Sequence, residues 1–113
     1  MDDLVEVRIT APDDSVAARL AAALVDEGLA ACVQIVPGIR SVYRWEGQVE
    51  VADEHLLLAK TIAARFDALA ERVRAEHPYD VPEILAIPVT HSDEAYAAWL
   101  RSEATPRSAG RTS

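Results

Sequence analysis

The stretch that organises this sequence reads Ala31-Cys32-Val33-Gln34-Ile35-Val36-Pro37-Gly38-Ile39-Arg40-Ser41-Val42-Tyr43-Arg44-Trp45. It is rich in Val, Ile and Tyr, residues that favour extended backbone. The Pro37-Gly38 pair interrupts the run, and a strand accommodates such a pair best at an edge or at a bulge. We therefore predict one long, bent strand.

The residues that follow predict the partner of this strand. Glu46-Gly47-Gln48 is a short connection, and the next apolar run ends near Thr61. The two strands would form a hairpin over residues 31–61. A hairpin this long and apolar is not expected to be stable alone in water, so other elements or other subunits must cover it.

The flanking segments predict the remaining elements. Apolar and polar residues alternate over residues 5–10, which indicates a strand, and residues 15–27 have the spacing of a helix. A second helical pattern follows the hairpin and ends before His77. Residues 84–89 predict a short fourth strand, and a last helix begins at Ser92-Asp93.

This order, βαββαβ with an added C-terminal helix, predicts the α+β class. It is the ferredoxin-like arrangement, in which helices cover one face of an antiparallel sheet. We expect a single domain over residues 1–102 and a mobile C-terminal tail over residues 103–113, because the tail has no pattern that could be buried.

Composition limits the classes of partner. The chain carries 19 acidic and 11 basic residues, for a net charge of -8, which argues against nucleic acid and anionic membranes. A single cysteine excludes an intrachain disulfide. The start Met1-Asp2-Asp3-Leu4 lacks the basic region of a signal peptide, and no apolar run has the length of a spanning helix. We expect a cytoplasmic protein.

A second distinctive stretch is His77-Pro78-Tyr79-Asp80-Val81-Pro82-Glu83-Ile84. Proline fixes its own φ and drives the preceding residue toward extended backbone, so the two prolines predict a stiff loop that enters the fourth strand. The loop holds an imidazole, a phenol and two carboxylates. The alternative is that the prolines only end the preceding helix.

Four blocks of this sequence, taken together and in this order, resemble the CutA family of divalent-cation tolerance proteins. The likeness runs from about Val7 to about Leu100, although Gln34 stands where the family pattern usually has Asn. It implies a homotrimer in which the hairpins exchange edge contacts, a role in tolerance to divalent metals, and copper binding. The blocks are residues 28–39, 41–47, 55–61 and 77–84.

Cys32 and His77 are the candidate metal ligands. A thiolate is a soft ligand and an imidazole a borderline one, so the pair suits copper or zinc. The two residues are far apart in sequence, and the chain has no second cysteine and no His-x-x-x-His motif. We expect no tightly bound cofactor, with copper or another divalent metal as the candidate ligand. The alternative for Cys32 is a small residue of the core.

Lys60, Tyr79 and Glu83 are the candidate residues of a pocket between subunits. Lys60 closes an apolar strand and Glu83 precedes another, and the ends of neighbouring strands can meet around one cleft. The pocket would contain a cation, a phenol and a carboxylate.

Tyr43 and Trp45 are candidate residues of a subunit interface. They occupy alternate positions and so face one side of the hairpin, where aromatic residues commonly bury on assembly. The acidic residues of the hairpin, Glu50, Asp53 and Glu54, are expected to be solvated.

Three functions are considered, of which the first is what the resemblance to the CutA family implies. The first is a homotrimer with a CutA-like role in the response to divalent metal ions. The second is a regulatory or scaffold trimer that binds a small metabolite between subunits, since the trimer architecture resembles that of nitrogen-regulatory signalling proteins. The third is an enzyme that uses His77 as acid or base with Lys60 or Glu83. It ranks last because no nucleophile and base occur in a recognisable arrangement.

Overall fold

A computed structural model describes residues 3–106. The predicted order of elements is confirmed. The elements are β1 (Leu4–Ala11), α1 (Asp14–Asp26), β2 (Cys32–Trp45), β3 (Gln48–Ile62), a 3₁₀ turn (Ala63–Arg65), α2 (Phe66–Glu76), β4 (Ile84–Pro88) and α3 (Glu94–Glu103).

The four strands form one antiparallel sheet in the order β2-β3-β1-β4. The predicted α+β class with an antiparallel sheet is therefore confirmed. The long strand β2 is an edge strand, because β3 is its single neighbour among the described residues. No helix within residues 3–106 is long and apolar enough to cross a membrane.

The hairpin contains the bulge that Pro37-Gly38 predicts. Val36 pairs with Leu56 and Ile39 pairs with Glu54, so two residues of β2 oppose one residue of β3. Gly38 has a φ of 76°, a left-handed conformation that glycine adopts without steric cost. The extra residue bends the strand and changes which of its residues share a face.

Helices α1 and α2 pack on one face of the sheet. The side chain of Asp13 caps α1 by accepting a hydrogen bond of 2.9 Å from the backbone N–H of Val16. Between the helices and the sheet lies the main apolar core, whose fully buried members include Val7, Ile9, Leu20, Leu24, Leu57, Leu69 and Val73.

Helix α3 differs from the expectation that the helices share one face. Leu4 and Ile62 alternate with residues of the main core, so their side chains lie on the opposite face, and α3 packs there through Ala97 and Leu100. The folded region also passes the predicted boundary at residue 102, because α3 ends at Glu103 and the next residue is fully buried. Residues 107–113 of the predicted tail lie outside the described residues.

Candidate functional site

A cavity of about 660 Å³ opens beside the stem of the hairpin. Its walls are Thr10 from β1, Ser41–Tyr43 and Trp45 from β2, Glu54 from β3, and the loop residues 79–83. The lining contains three aromatic rings and three carboxylates, and within the described part of the chain it contains no lysine or arginine. The cavity therefore combines apolar walls with negative charge.

The bulge in β2 places the aromatic residues in this cavity. Directly opposed residues of an antiparallel pair share a face, so Ile39 lies on the same face as Glu54. Tyr43 and Trp45 follow Ile39 at even intervals and therefore lie on that face too. Without the extra residue at the bulge, both rings would point to the other side of the sheet.

Glu54 is a buried carboxylate at the base of the cavity. It is 6% exposed, so the expectation that it is solvated is wrong. The hydroxyl of Tyr79 donates a hydrogen bond of 2.9 Å to its Oε2. Burial, followed by this contact with Glu54, raises the pKa of Tyr79 to about 12. Among the described residues, no basic side chain lies within 4.0 Å of the Glu54 carboxylate.

His77 holds the loop against β1. Its Nε2 donates a hydrogen bond of 2.7 Å to the carbonyl oxygen of Thr10, and its Nδ1 accepts one of 3.1 Å from the backbone N–H of Tyr79. The following proline keeps His77 extended, with φ -77° and ψ 139°, and so ends α2. Both ring nitrogens are engaged, which orients Tyr79 and leaves no lone pair free for a metal in this conformation.

The structure does not bring Cys32 and His77 together within one chain. Cys32 is half-buried at the start of β2 and pairs with Lys60, whereas Thr10, the partner of His77, pairs with Leu56. Lys60 and Leu56 are four residues apart on β3, or about 13 Å along the strand. Within residues 3–106, no group of three or more His, Cys, Asp or Glu side chains is placed to hold a metal ion.

Lys60 lies away from the cavity that contains Tyr79 and Glu83. Its Nζ donates to the side-chain oxygen of Gln34 and lies 3.6 Å from Oε2 of Glu6. Two residues of the predicted pocket are thus together in one chain, and the lysine is elsewhere on the sheet. A site that combines all three residues would need a second subunit.

Sequence reasoning missed Glu54 as a cavity residue, although a signal was present. Glu54 shares its strand face with Ala52, Leu56 and Leu58, so it is an acidic residue between apolar neighbours of the alternating series. Such an exception indicates a buried charge with a specific partner. That partner, Tyr79, is 25 residues away in sequence and could not be identified from the pattern.

Comparison with known proteins identifies relatives along almost the whole folded region. The sequence model of the family described as CutA1 divalent ion tolerance protein matches residues 5–103. The divalent-cation tolerance protein CutA of Thermus thermophilus is 54% identical over 95 residues, which cover 84% of this chain and 92% of that protein. A chloroplastic CutA of Oryza sativa is 48% identical over 96 residues, which cover 85% of this chain and 54% of that protein.

Solved structures agree with this result. The divalent cation tolerance protein from Thermus thermophilus superposes with a TM-score of 0.89 at 50% identity, covering 90% of this chain and 99% of that chain. A periplasmic divalent cation tolerance protein CutA from Archaeoglobus fulgidus superposes with a TM-score of 0.87 at 35% identity, with the same coverage of 90% and 99%.

Proposed function

This chain belongs to the CutA1 family of divalent ion tolerance proteins, and we propose that it works in divalent-cation tolerance as a cytoplasmic homotrimer of ferredoxin-like subunits. The strand order β2-β3-β1-β4 and the βαββαβ sequence of elements support the ferredoxin-like description. The single cysteine, which requires no oxidising compartment, supports the cytoplasmic one.

The exposed apolar residues of the hairpin, between positions 42 and 51, are the observation that supports a trimer. Val42, Val49 and Val51 are 66%, 61% and 62% exposed on one face, and Tyr43 and Trp45 are each 44% exposed on the other. Large apolar side chains on both faces of a hairpin mark a surface that assembly would cover. Among residues 3–106 the outer backbone edge of β2 has no strand partner, so a second chain can extend the sheet there.

Light scattering on the purified protein tests this assembly. We expect a mass of three chains at micromolar concentration, and a stable monomer would contradict the proposal. Trp45→Ala should shift the equilibrium toward smaller species, because truncation of a buried interface aromatic commonly costs about 2 kcal/mol or more. Val25→Ala, which removes an exposed apolar side chain of α1 outside the hairpin, is the matched control and should leave the mass unchanged.

A more specific proposal than divalent-cation tolerance is that the protein binds copper directly. The half-buried thiol of Cys32 supports it, because the side chain is not sealed in the core. His77 would have to give up one of its two hydrogen bonds to serve as a ligand. Copper titration of the assembled protein, compared with Cys32→Ser and His77→Ala variants, tests the assignment. Unchanged affinity in both variants would remove these two residues as ligands.

Metabolite binding is the second candidate function, and the cavity beside the hairpin favours it. Tyr79 and Glu83, two residues predicted to line a ligand pocket, both contribute to its wall. An enzyme that uses His77 with Lys60 or Glu83 gains no such support, because His77 is committed to Thr10 and Tyr79 and Lys60 lies near Glu6.

A further inference from the structure

The cavity beside the hairpin has an unbalanced charge. Glu54, Asp80 and Glu83 contribute three carboxylates to its wall, and no basic side chain of residues 3–106 contributes to it. Glu54 is the decisive group because it is 6% exposed. Its Oε2 accepts one hydrogen bond from Tyr79, whereas its Oε1 has no hydrogen-bond partner among residues 3–106 and is not sealed from solvent. Oε1 is therefore accessible to a cationic ligand, which a mostly buried carboxylate favours.

The shape of the site favours an organic cation over a metal ion as the ligand. The acidic side chains of the cavity do not converge, since no set of three ligating side chains among the described residues is placed around one point. They surround a space of about 660 Å³, which is large enough for an organic molecule of several heavy atoms. Separated negative charges match a ligand whose positive charges are also separated.

The aromatic walls fit the same class of ligand. Tyr43, Trp45 and Tyr79 line the cavity together with Val81 and Pro82. Their apolar surfaces suit a hydrocarbon chain, and aromatic rings also attract the cationic ends of such a chain. A hydrated metal ion would gain little from these surfaces.

We propose that this cavity binds an aliphatic diamine or polyamine in its ammonium form. One ammonium group donates to Oε1 of Glu54, the hydrocarbon chain lies against Tyr79 and Val81, and the second ammonium group lies near Asp80 and Glu83. The proposal names a ligand class for the metabolite-binding function and rests on it, and it is independent of the metal role.

Isothermal titration calorimetry on the assembled protein tests the proposal with 1,4-diaminobutane as the probe. We expect saturable binding of 1,4-diaminobutane, weaker binding of butan-1-amine and no binding of the neutral butane-1,4-diol. Magnesium ion has the same total charge at one point and should not displace the diamine at equal concentration. Equal binding of the diol, or displacement by magnesium, would overturn the proposal.

Glu54→Gln is the discriminating variant. Glutamine keeps an acceptor for the Tyr79 hydroxyl and removes the charge, so the affinity for 1,4-diaminobutane should fall at least tenfold. Glu71→Gln removes one charge from an exposed position on α2 and should leave the affinity unchanged. An equal loss of affinity for 1,4-diaminobutane in both variants would show a nonspecific effect of net charge and would contradict binding at Glu54.

Light scattering on the same samples keeps this result separate from the trimer proposal. If Glu54→Gln dissociates the assembly and the wild-type protein binds no amine, a basic side chain of a neighbouring subunit fills the cavity and the ligand proposal is wrong. If the protein is monomeric yet binds the diamine, the assembly proposal fails and the ligand class stands.

Discussion

Replacing Tyr79 with Phe tests whether the buried contact at the base of the cavity stabilises the protein. The substitution deletes the hydroxyl that donates 2.9 Å to Oε2 of Glu54 and keeps the ring that lies 4.8 Å from the ring of His77. A hydrogen bond to a charged group contributes about 1.5–3 kcal/mol. Tyr79 is 37% exposed, so water can partly replace its donor, and we expect a loss of about 1–2 kcal/mol in the free energy of unfolding.

Urea unfolding at one fixed protomer concentration measures this loss, because the stability of an oligomer depends on concentration. Tyr96→Phe is the control, since its hydroxyl has no hydrogen-bond partner among the described residues. A double-mutant cycle with Glu54→Gln should give a coupling of about 1 kcal/mol. A Tyr79→Phe protein within about 0.3 kcal/mol of wild type, with no coupling to Glu54, would refute the reasoning.

Three further outcomes follow from particular contacts. The pKa of Tyr79 is raised from 10.0 to about 12. The hydrogen bond of its neutral hydroxyl therefore stabilises the fold fully below about pH 10, and this stabilisation is lost as the pH rises toward 12. Absorbance titration at 295 nm should show one late-ionising tyrosine in the wild-type protein that is missing from Tyr79→Phe. Thr61→Val should lower the free energy of unfolding in urea by about 1–3 kcal/mol, because the buried carbonyl oxygen of Leu29 loses the hydroxyl that donates to it at 2.8 Å. Thr90→Val, at an exposed position, is the control and should be nearly neutral. Gly38→Ala should cost about 1 kcal/mol in the same assay, because its φ of 76° strains an L-residue although the surrounding space is open; a neutral result would contradict a rigid bulge.

The order of helices and strands could be predicted from the sequence because local patterns encode it. Alternation over residues 5–10 and helical spacing over residues 15–27 each reflect which side chains a single element can bury. The bulge was also predictable, since Pro37-Gly38 cannot continue a regular ladder. The sequence placed Tyr79 and Glu83 on a stiff loop for the same local reason.

The cavity depended on relations that no local pattern contains. The burial of Glu54 requires the loop at Tyr79 to fold over β3, and the separation of Lys60 from that loop is set by strand register. The bulge reverses which residues of β2 share a face, and that reversal brings Tyr43 beside the loop. Sequence periodicity thus determined which elements form, while register and loop closure, which join residues distant along the chain, decided which side chains meet.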